Sequence, residues 1–196
     1  MYFISLDYLK CPTSKVSRGE TIPQPTFDIA EATANEAKDI FRIQRNTWLA
    51  TYPNEEIGIT AEMIEERFSD MDGRIQKWKN NIEGGASKIW VIRSEDGIVG
   101  FCGVMEGEKF NRLASIYVDP DQHGGGIGGR LMEQALSYLG KDKDIALDVA
   151  SYNTNAIGFY EKYGFEIGSE IPEEDLLHIG EVALPETRMV LRASNS

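Results

Sequence analysis

The sequence predicts a single α/β domain with a mixed, mostly antiparallel and twisted β-sheet flanked by helices. Segments that alternate like strands are interspersed with segments of helical periodicity. Three strand segments follow one another across short turns, which is typical of antiparallel pairing. A glycine-rich loop then leads from the third of these strands into a helix. A chain of 196 residues with 41% hydrophobic residues is long enough to bury one such core.

The N-terminal half supplies one strand and three helices. Residues 1–25 hold three of the seven prolines, so we expect an N-terminal extension there and a domain that covers 26–196. Residues 26–32 alternate like a strand, and a capping box that begins at Thr33 opens the first helix. That helix ends at Tyr52-Pro53 because a residue before proline is biased away from helical geometry. Two further helices are expected, one from Thr60 and one around 75–82.

The C-terminal half supplies the remaining strands. A turn at Ser94-Glu95-Asp96-Gly97 joins the first two of three successive strands, predicted at 88–93, 98–106 and 111–118. The helix after the glycine-rich loop carries apolar residues at helical spacing from Leu131 to Leu139. A strand at 145–149, a helix at 153–163 and strands at 165–168 and 187–192 complete the predicted order.

Composition excludes several classes of protein. Twenty Lys and Arg against 32 Asp and Glu give a net charge of −12, which argues against a nucleic-acid-binding surface. No apolar run reaches the roughly 18 residues of a membrane helix, and the first residues lack the basic flank of a signal peptide. Cys11 and Cys102 have neither zinc-site nor redox-pair spacing. We therefore expect a cytoplasmic protein with two free thiols, no metal, and no membrane partner.

The glycine-rich loop is the strongest local signal. Residues 124–129 contain five glycines in six positions between a strand and a helix. Glycines let the backbone approach a ligand closely, and free N–H groups at a helix N-terminus attract anions. The loop is therefore predicted to hold a phosphate or pyrophosphate, the alternative being a flexible turn without a ligand.

The same loop contains the spacing Gly124-x-Gly126-x-x-Gly129, with Asp148 about twenty residues later. This is the nominal fingerprint of a dinucleotide-binding βαβ unit, so an oxidoreductase that uses a nicotinamide or flavin cofactor is one alternative function. The context argues against it, because the loop follows hairpin-linked strands and Asp148 lies inside a predicted strand.

Two sequence blocks together resemble the GNAT superfamily of N-acetyltransferases. The first is Ile116-Tyr117-Val118-Asp119-Pro120 followed by Gln122-His123-Gly124-x-Gly126-Ile127-Gly128. The second is Asn153-x-x-Ala156-x-x-Phe159-Tyr160-Glu161-Lys162-x-Gly164-Phe165. These blocks cover 116–165, and the order of elements extends the resemblance over 26–192. One departure is His123, which stands where the family usually has Arg or Gln.

The resemblance implies an enzyme that transfers the acetyl group of acetyl-CoA to a primary amine by direct attack in a ternary complex. The strand before the glycine-rich loop is then expected to splay from the next strand and to expose its backbone edge, with a backbone N–H near Tyr117 and Val118 stabilising the oxyanion. Tyr160 is the expected general acid, with core packing as its alternative role. Asn153 is expected to cap its helix. The expected acetyl-CoA-binding residues are Ile116, Tyr117, Val118, His123, Gly124, Gly125, Gly126, Ile127, Gly128, Gly129, Arg130, Asn153, Asn155 and Tyr160.

The general base stays open at this point. Many family members carry a Glu on the strand before the loop, and the nearest position here is Arg112. A base relayed by water is one alternative, and the other candidates are Glu106, Glu108, Asp148, His123 and His178.

The acceptor is expected to be a small-molecule amine or a peptide N-terminus. Two acidic regions, 55–70 and 166–186, border the expected acceptor site and favour a cationic amine such as a polyamine, unless they are only solvated surface. Trp48, Tyr52 and Trp78 form either an aromatic wall or part of the core. A non-catalytic acyl-CoA-binding or regulatory module is a second alternative function, and a homodimer is compatible with the sequence.

Overall fold

The computed structural model describes residues 27–95, 97–122 and 125–194. The strands are β1 (Asp28–Glu31), β2 (Lys88–Ser94), β3 (Gly97–Met105), β4 (Asn111–Val118), β5 (Ile145–Ala150), β6 (Glu166–Ile167), β7 (His178–Ile179), β8 (Val182–Ala183) and β9 (Glu186–Leu191). The helices are α1 (Ala37–Thr51), α2 (Ala61–Arg67), α3 (Met71–Gly84), α4 (Ile127–Leu139) and α5 (Thr154–Glu161). The predicted extension at 1–25 and the predicted site residues His123 and Gly124 lie outside the described residues.

Seven strands form one sheet in the order β1-β2-β3-β4-β5-β9-β6. The pairing of β4 with β5 is parallel, and the other described pairs in this sheet are antiparallel. The predicted fold class is therefore confirmed. A doubly wound parallel sheet, which the dinucleotide-binding alternative requires, is not the architecture of the described residues.

Local sequence signals placed the elements well. The capping box is confirmed, because the Glu36 carboxylate accepts a hydrogen bond from the Thr33 backbone N–H at 2.8 Å. The strand predicted at 165–168 is shorter than expected, because Gly164 takes a positive φ of 86° and the Phe165 N–H bonds back to Tyr160. The β7–β8 hairpin was not predicted, because two-residue strands carry no periodicity that a sequence pattern can reveal.

Helices cover both faces of the sheet. On one face α4 and α5 pack against alternate strand residues, including Ile145, Leu147, Val149 and Met189. On the other face α1, α2 and α3 pack against two further clusters, which include Ala150 and Phe101. Since side chains alternate along a strand, Asp148 on β5 and Glu186 and Arg188 on β9 face the α1–α2 side.

The centre of the sheet opens where β4 and β5 diverge. Only Asn111 and Arg112 of β4 pair with β5. The pairing of β4 with β3 skips Ala114, because Gly103 pairs with Ser115 and Val104 with Leu113. Beyond this β-bulge, β4 pairs only with β3. The splay expected from the resemblance is therefore present, and it leaves one backbone edge of β4 free of a strand partner beyond Arg112.

An ionic clamp closes the paired end of this opening. The Asp148 carboxylate accepts hydrogen bonds from Arg188 Nε at 2.7 Å and from Arg112 Nη2 at 2.6 Å. Burial alone would raise the pKa of Asp148, but the two guanidinium groups outweigh it and hold that pKa below its usual value. The clamp links β4, β5 and β9 just before β4 and β5 separate.

No helix of the described residues has the length and apolarity to cross a membrane.

Candidate active site

The N-terminus of α4 presents backbone amides that have no hydrogen-bond partner in the described part of the chain. Gly126, in the left-handed conformation with φ of 73°, precedes the helix, and no side chain caps it. The first N–H of this turn bonded within the helix belongs to Arg130, which donates to the Gly126 carbonyl at 3.2 Å. The amides of Ile127, Gly128 and Gly129 are therefore directed out of the helix end. Together with the helix dipole they form a site suited to a phosphate or pyrophosphate group.

Two of the loop glycines also serve the packing of α4 against α5. A Cβ on Gly129 would lie 3.0 Å from the Tyr163 hydroxyl, and one on Gly128 would lie 3.6 Å from the ring of Phe159. Arg130 turns its guanidinium over the Phe27 ring, 5.2 Å from the centroid. Because the Arg130 amide is bonded within the helix, a role for this residue in binding the cofactor falls to its side chain.

The open edge of β4 lies beside this helix end. Ile116 and Val118 turn their side chains into the cluster under α4, whereas Tyr117 turns to the α1 face. One backbone edge of this segment pairs with β3, and the other faces the gap left by β5. The Thr47 hydroxyl donates to the Val118 carbonyl at 3.3 Å, but no strand of the described residues pairs with this edge, so it is accessible to an extended ligand.

Tyr160 lies on α5 and packs against the cluster under α4. Its ring packs on Phe159 and Phe165 at centroid distances of 5.5 and 6.0 Å. Within the described part of the chain its hydroxyl has no hydrogen-bond partner. Burial, with a smaller contribution from Tyr117, raises the pKa of Tyr160 well above its usual value, so the phenol is neutral at physiological pH. Tyr160 is therefore a buried, protonated phenol that is close enough to Tyr117 to be influenced by it electrostatically.

Asn153 caps α5 as predicted, because its side-chain oxygen accepts a hydrogen bond from the Ala156 N–H at 3.1 Å. Asn155 lies in the first turn of the same helix, at the surface. A cavity of about 420 Å³ lies next to this helix end. Its walls are two chain segments, 53–56 after α1 and 152–155 after β5, and they include Glu55 and Glu56.

An aromatic cluster forms the floor of the opening on the α1 side. Trp48 donates a hydrogen bond from Nε1 to the Tyr117 hydroxyl at 3.1 Å, and its ring carries the Arg67 guanidinium at 4.9 Å. Burial raises the pKa of both Tyr52 and Tyr117, and the hydroxyls of Tyr52, Tyr117 and Tyr160 are close enough to influence one another. Trp48 and Tyr52 thus belong both to the core and to the wall of the site.

Trp78 lies on α3 and packs against both clusters on the α1 side of the sheet. It contacts Phe101 at 5.3 Å between ring centroids and donates to the Gln44 side chain at 3.1 Å. Of the two roles expected for Trp78, the structure therefore supports core packing.

The base candidates from the sequence are dispersed. Asp148 is held in the ionic clamp, which also occupies Arg112. Glu106 accepts from the Tyr138 hydroxyl at 3.1 Å, and both Glu108 and His178 are exposed. His123 lies outside the described residues.

Sequence reasoning missed one carboxylate. Glu186, the first residue of β9, is half-buried on the α1–α2 face, and one of its oxygens accepts from the Leu177 N–H at 2.9 Å. Burial and the nearby Asp148 raise the pKa of Glu186, against the opposing effect of that hydrogen bond and of two arginines. In the sequence it was one of seven carboxylates in the acidic region 166–186, with no signal that separated it from the exposed ones.

A family model described as an acetyltransferase (GNAT) domain matches residues 85–167, which contain both sequence blocks. The resemblance to the GNAT acetyltransferases is therefore confirmed over residues 85–167. A peptidyl-lysine N-acetyltransferase of Salmonella typhimurium, YjaB, is 36% identical over 89 residues, a match that covers 45% of this chain and 57% of that protein. The chain thus matches little more than half the length of this curated relative.

Solved structures extend the likeness over the whole described fold. The PaiA N-acetyltransferase of Thermoplasma acidophilum, in complex with coenzyme A, has a TM-score of 0.63 at 16% identity, with 85% of this chain and 99% of that one covered. A spermidine N-acetyltransferase chimera of Vibrio cholerae SpeG and hSSAT has a TM-score of 0.61 at 19% identity, with 85% and 95% covered. At these identities the likeness shows the GNAT fold.

Proposed function

We propose that this GNAT domain is an acetyl-CoA-dependent N-acetyltransferase that acts on a primary amine. The observation that carries the proposal is the combination of three features: the splay of β4 from β5, the N-terminus of α4 without a side-chain cap, and the buried Tyr160 hydroxyl, which has no hydrogen-bond partner among the described residues. The curated relative is a peptidyl-lysine N-acetyltransferase and the PaiA structure holds coenzyme A, which supports the same chemistry.

The residues present fit an extended acyl carrier. The amides at the start of α4 bind its pyrophosphate, and the free edge of β4 pairs with its pantetheine arm. A backbone N–H of the segment Tyr117–Val118 stabilises the oxyanion that forms when the amine attacks the thioester carbonyl. Binding both substrates in one cleft converts a bimolecular reaction into an effectively intramolecular one.

Tyr160 completes the reaction as general acid. When the C–S bond breaks, the phenol gives its proton to the leaving sulfur. A raised pKa suits this role because the group must arrive protonated. The roles of the individual residues of the cofactor site and the domain limits 26–196 belong to the proposal, and so do a homodimer and a cytoplasmic location.

The acceptor is proposed to be a cationic amine, with a polyamine as the first candidate and a peptide amine as the second. Glu55 and Glu56 on the cavity wall support a cationic ligand because carboxylates attract ammonium groups. One structural neighbour is a spermidine acetyltransferase chimera, and the curated relative acts on peptidyl-lysine.

A panel of amines, each incubated with acetyl-CoA, tests the proposal. The measured quantity is the release of free coenzyme A. Spermidine, a lysine-containing peptide and a free amino acid cover the main acceptor classes. Release of coenzyme A that depends on one amine is the expected result. Protection by acetyl-CoA in a thermal melt, without coenzyme A release over the panel, would instead indicate an acyl-CoA-binding module. Protection by NAD and not by acetyl-CoA would indicate a dinucleotide-binding protein.

A further inference from the structure

Glu186 lies at the open end of the splay between β4 and β5, which we call the mouth of the splay. It pairs with Ala150, the last residue of β5, at the end where β5 has left β4. Its side chain is on the α1–α2 face, opposite the face on which α4 presents its amides. An acceptor that approaches from this face meets the thioester from the side opposite the acyl carrier. Glu186 is therefore placed for the acceptor and not for the carrier.

The carboxylate of Glu186 is only partly satisfied by the protein. Its Oε2 accepts from the Leu177 N–H, whereas Oε1 has no hydrogen-bond partner among the residues that the structure describes. The nearby arginines, Arg112 and Arg188, direct their hydrogen bonds to Asp148. Glu186 thus keeps an open acceptor oxygen in a partly desolvated place, where an ammonium group is a suitable donor.

The charged and titratable neighbours come from several elements. Asp148 of β5 raises the pKa of Glu186, and Arg112 of β4 and Arg188 of β9 lower it. Glu186 in turn raises the pKa of Tyr52 at the end of α1 and of Tyr117 on β4. Tyr52 is also influenced by Tyr160, so the carboxylate and the expected acid both interact electrostatically with the same tyrosine.

We infer that Glu186 receives the ammonium group of the acceptor and takes the proton that must leave before attack. This inference rests on the proposed function and adds to it the residue that prepares the acceptor. It also explains why the general base was not found on β4, where Arg112 is engaged in the clamp.

The proton balance follows directly. One N–H proton of the ammonium passes to the Glu186 carboxylate, which leaves a neutral amine and a neutral carboxyl group. The amine nitrogen forms a C–N bond to the thioester carbonyl carbon, and the C–S bond breaks as Tyr160 protonates the sulfur. The second N–H proton restores the phenol of Tyr160, and Glu186 returns its proton to water after the amide leaves.

The test compares Glu186→Gln with Glu181→Gln. Glutamine keeps an oxygen for the Leu177 N–H, so the link between β9 and the segment before β7 is retained. Glu181, between β7 and β8, is exposed, and its substitution makes the same change in net charge. With the amine that the panel identifies, kcat/KM of Glu186→Gln is expected to fall at least about 100-fold. Its acid-side limb in the pH profile is expected to vanish, while the acetyl-CoA Kd stays unchanged. Glu186→Asp is expected to recover part of the rate and the acid limb.

A second readout does not depend on turnover. Carboxyl ¹³C NMR of glutamate-labelled protein identifies the Glu186 signal by its loss in Glu186→Gln, and spermidine and a lysine-containing peptide are the probes. The expected result is a shift of that signal, and not of the Glu181 signal, on addition of a probe that is also acetylated. If the wild-type protein acetylates an amine but Glu186→Gln keeps kcat/KM within threefold with the acid limb in place, the inference fails and the proposed function stands. If no amine is acetylated and neither probe moves the Glu186 signal, both fail.

Discussion

Replacement of Tyr160 by phenylalanine removes a single oxygen atom from the proposed site. The ring contacts with Phe159 and Phe165 involve the aromatic faces and edges, so they are retained. The hydroxyl makes no hydrogen bond to any described residue, so none is lost. We therefore expect the free energy of unfolding to change by less than about 1 kcal/mol, with Tm shifted by less than about 3 °C.

The chemical step should respond much more strongly. A positioned general acid contributes roughly 10²- to 10⁴-fold to a rate. At 1.36 kcal/mol for each factor of ten, this corresponds to about 3–5 kcal/mol of activation free energy. Because the hydroxyl has no structural partner, the loss is expected in kcat and not in the binding of acetyl-CoA.

Single-turnover release of free coenzyme A, measured from pH 6 to 10, separates the two effects. Tyr163→Phe is the matched control, since it removes a hydroxyl from the same turn region at the end of α5. The control should keep the wild-type rate. A Tyr160→Phe rate within threefold of wild type at every pH, with intact acetyl-CoA binding, would refute the acid role and leave Tyr160 as a packing residue.

The remaining predictions concern the scaffold. Asp148→Asn leaves two arginines without their counter-charge and should cost about 2 kcal/mol at pH 7, a value reduced for solvent screening, in urea unfolding. Because the pKa of Asp148 is lowered in the folded state, its contribution to stability is complete above the ordinary pKa of about 3.9 and is lost as the pH falls through the folded-state pKa. The free energies of unfolding of the variant and the wild type should therefore become equal in acid. A difference below about 0.5 kcal/mol at pH 7 contradicts the clamp. Gly100→Ala places a Cβ 2.9 Å from the Tyr117 carbonyl and should cost about 1–3 kcal/mol, whereas Gly158→Ala, in open space on α5, should gain about 0.5–1 kcal/mol; equal melts would contradict the tight packing at β3. Gly126→Ala is strained at φ of 73° and should weaken acetyl-CoA binding about tenfold in calorimetry. Gly84→Ala, in open space at the end of α3, is the control that should leave the Kd unchanged, and equal Kd values for the two variants would remove the α4 amides from the site.

Much of the fold follows from local sequence signals. The Thr33–Glu36 capping box begins the helical region as expected because both of its hydrogen bonds involve residues three positions apart. The Asn153 cap of α5 is another interaction over three residues. The turn at 94–97 joins two strands that pair antiparallel in the structure. Each of these features depends on residues that are neighbours in the chain, so the sequence carries the information.

The sequence was less informative about the acceptor side of the site. Asp148 was part of the nominal dinucleotide fingerprint and also a candidate base, yet it is the centre of an ionic clamp with Arg112 and Arg188. Those partners are 36 and 40 residues away from it, so no local pattern shows the pairing. The sequence also left open whether Trp78 is a core residue, which its packing on Phe101 and its hydrogen bond to Gln44 now show.

The sequence by itself determined the family resemblance and the order of the main elements, because both depend on residue types at short, fixed spacings. Only the tertiary structure decided which carboxylate is half-buried at the mouth of the splay. Glu186 and Glu181 have the same side chain and lie five residues apart in the sequence. Packing shields the Glu186 side chain partly from water, whereas Glu181 is exposed. Desolvation and the placement of charged neighbours arise only when distant segments meet, and these are the quantities that give a carboxylate a chemical role.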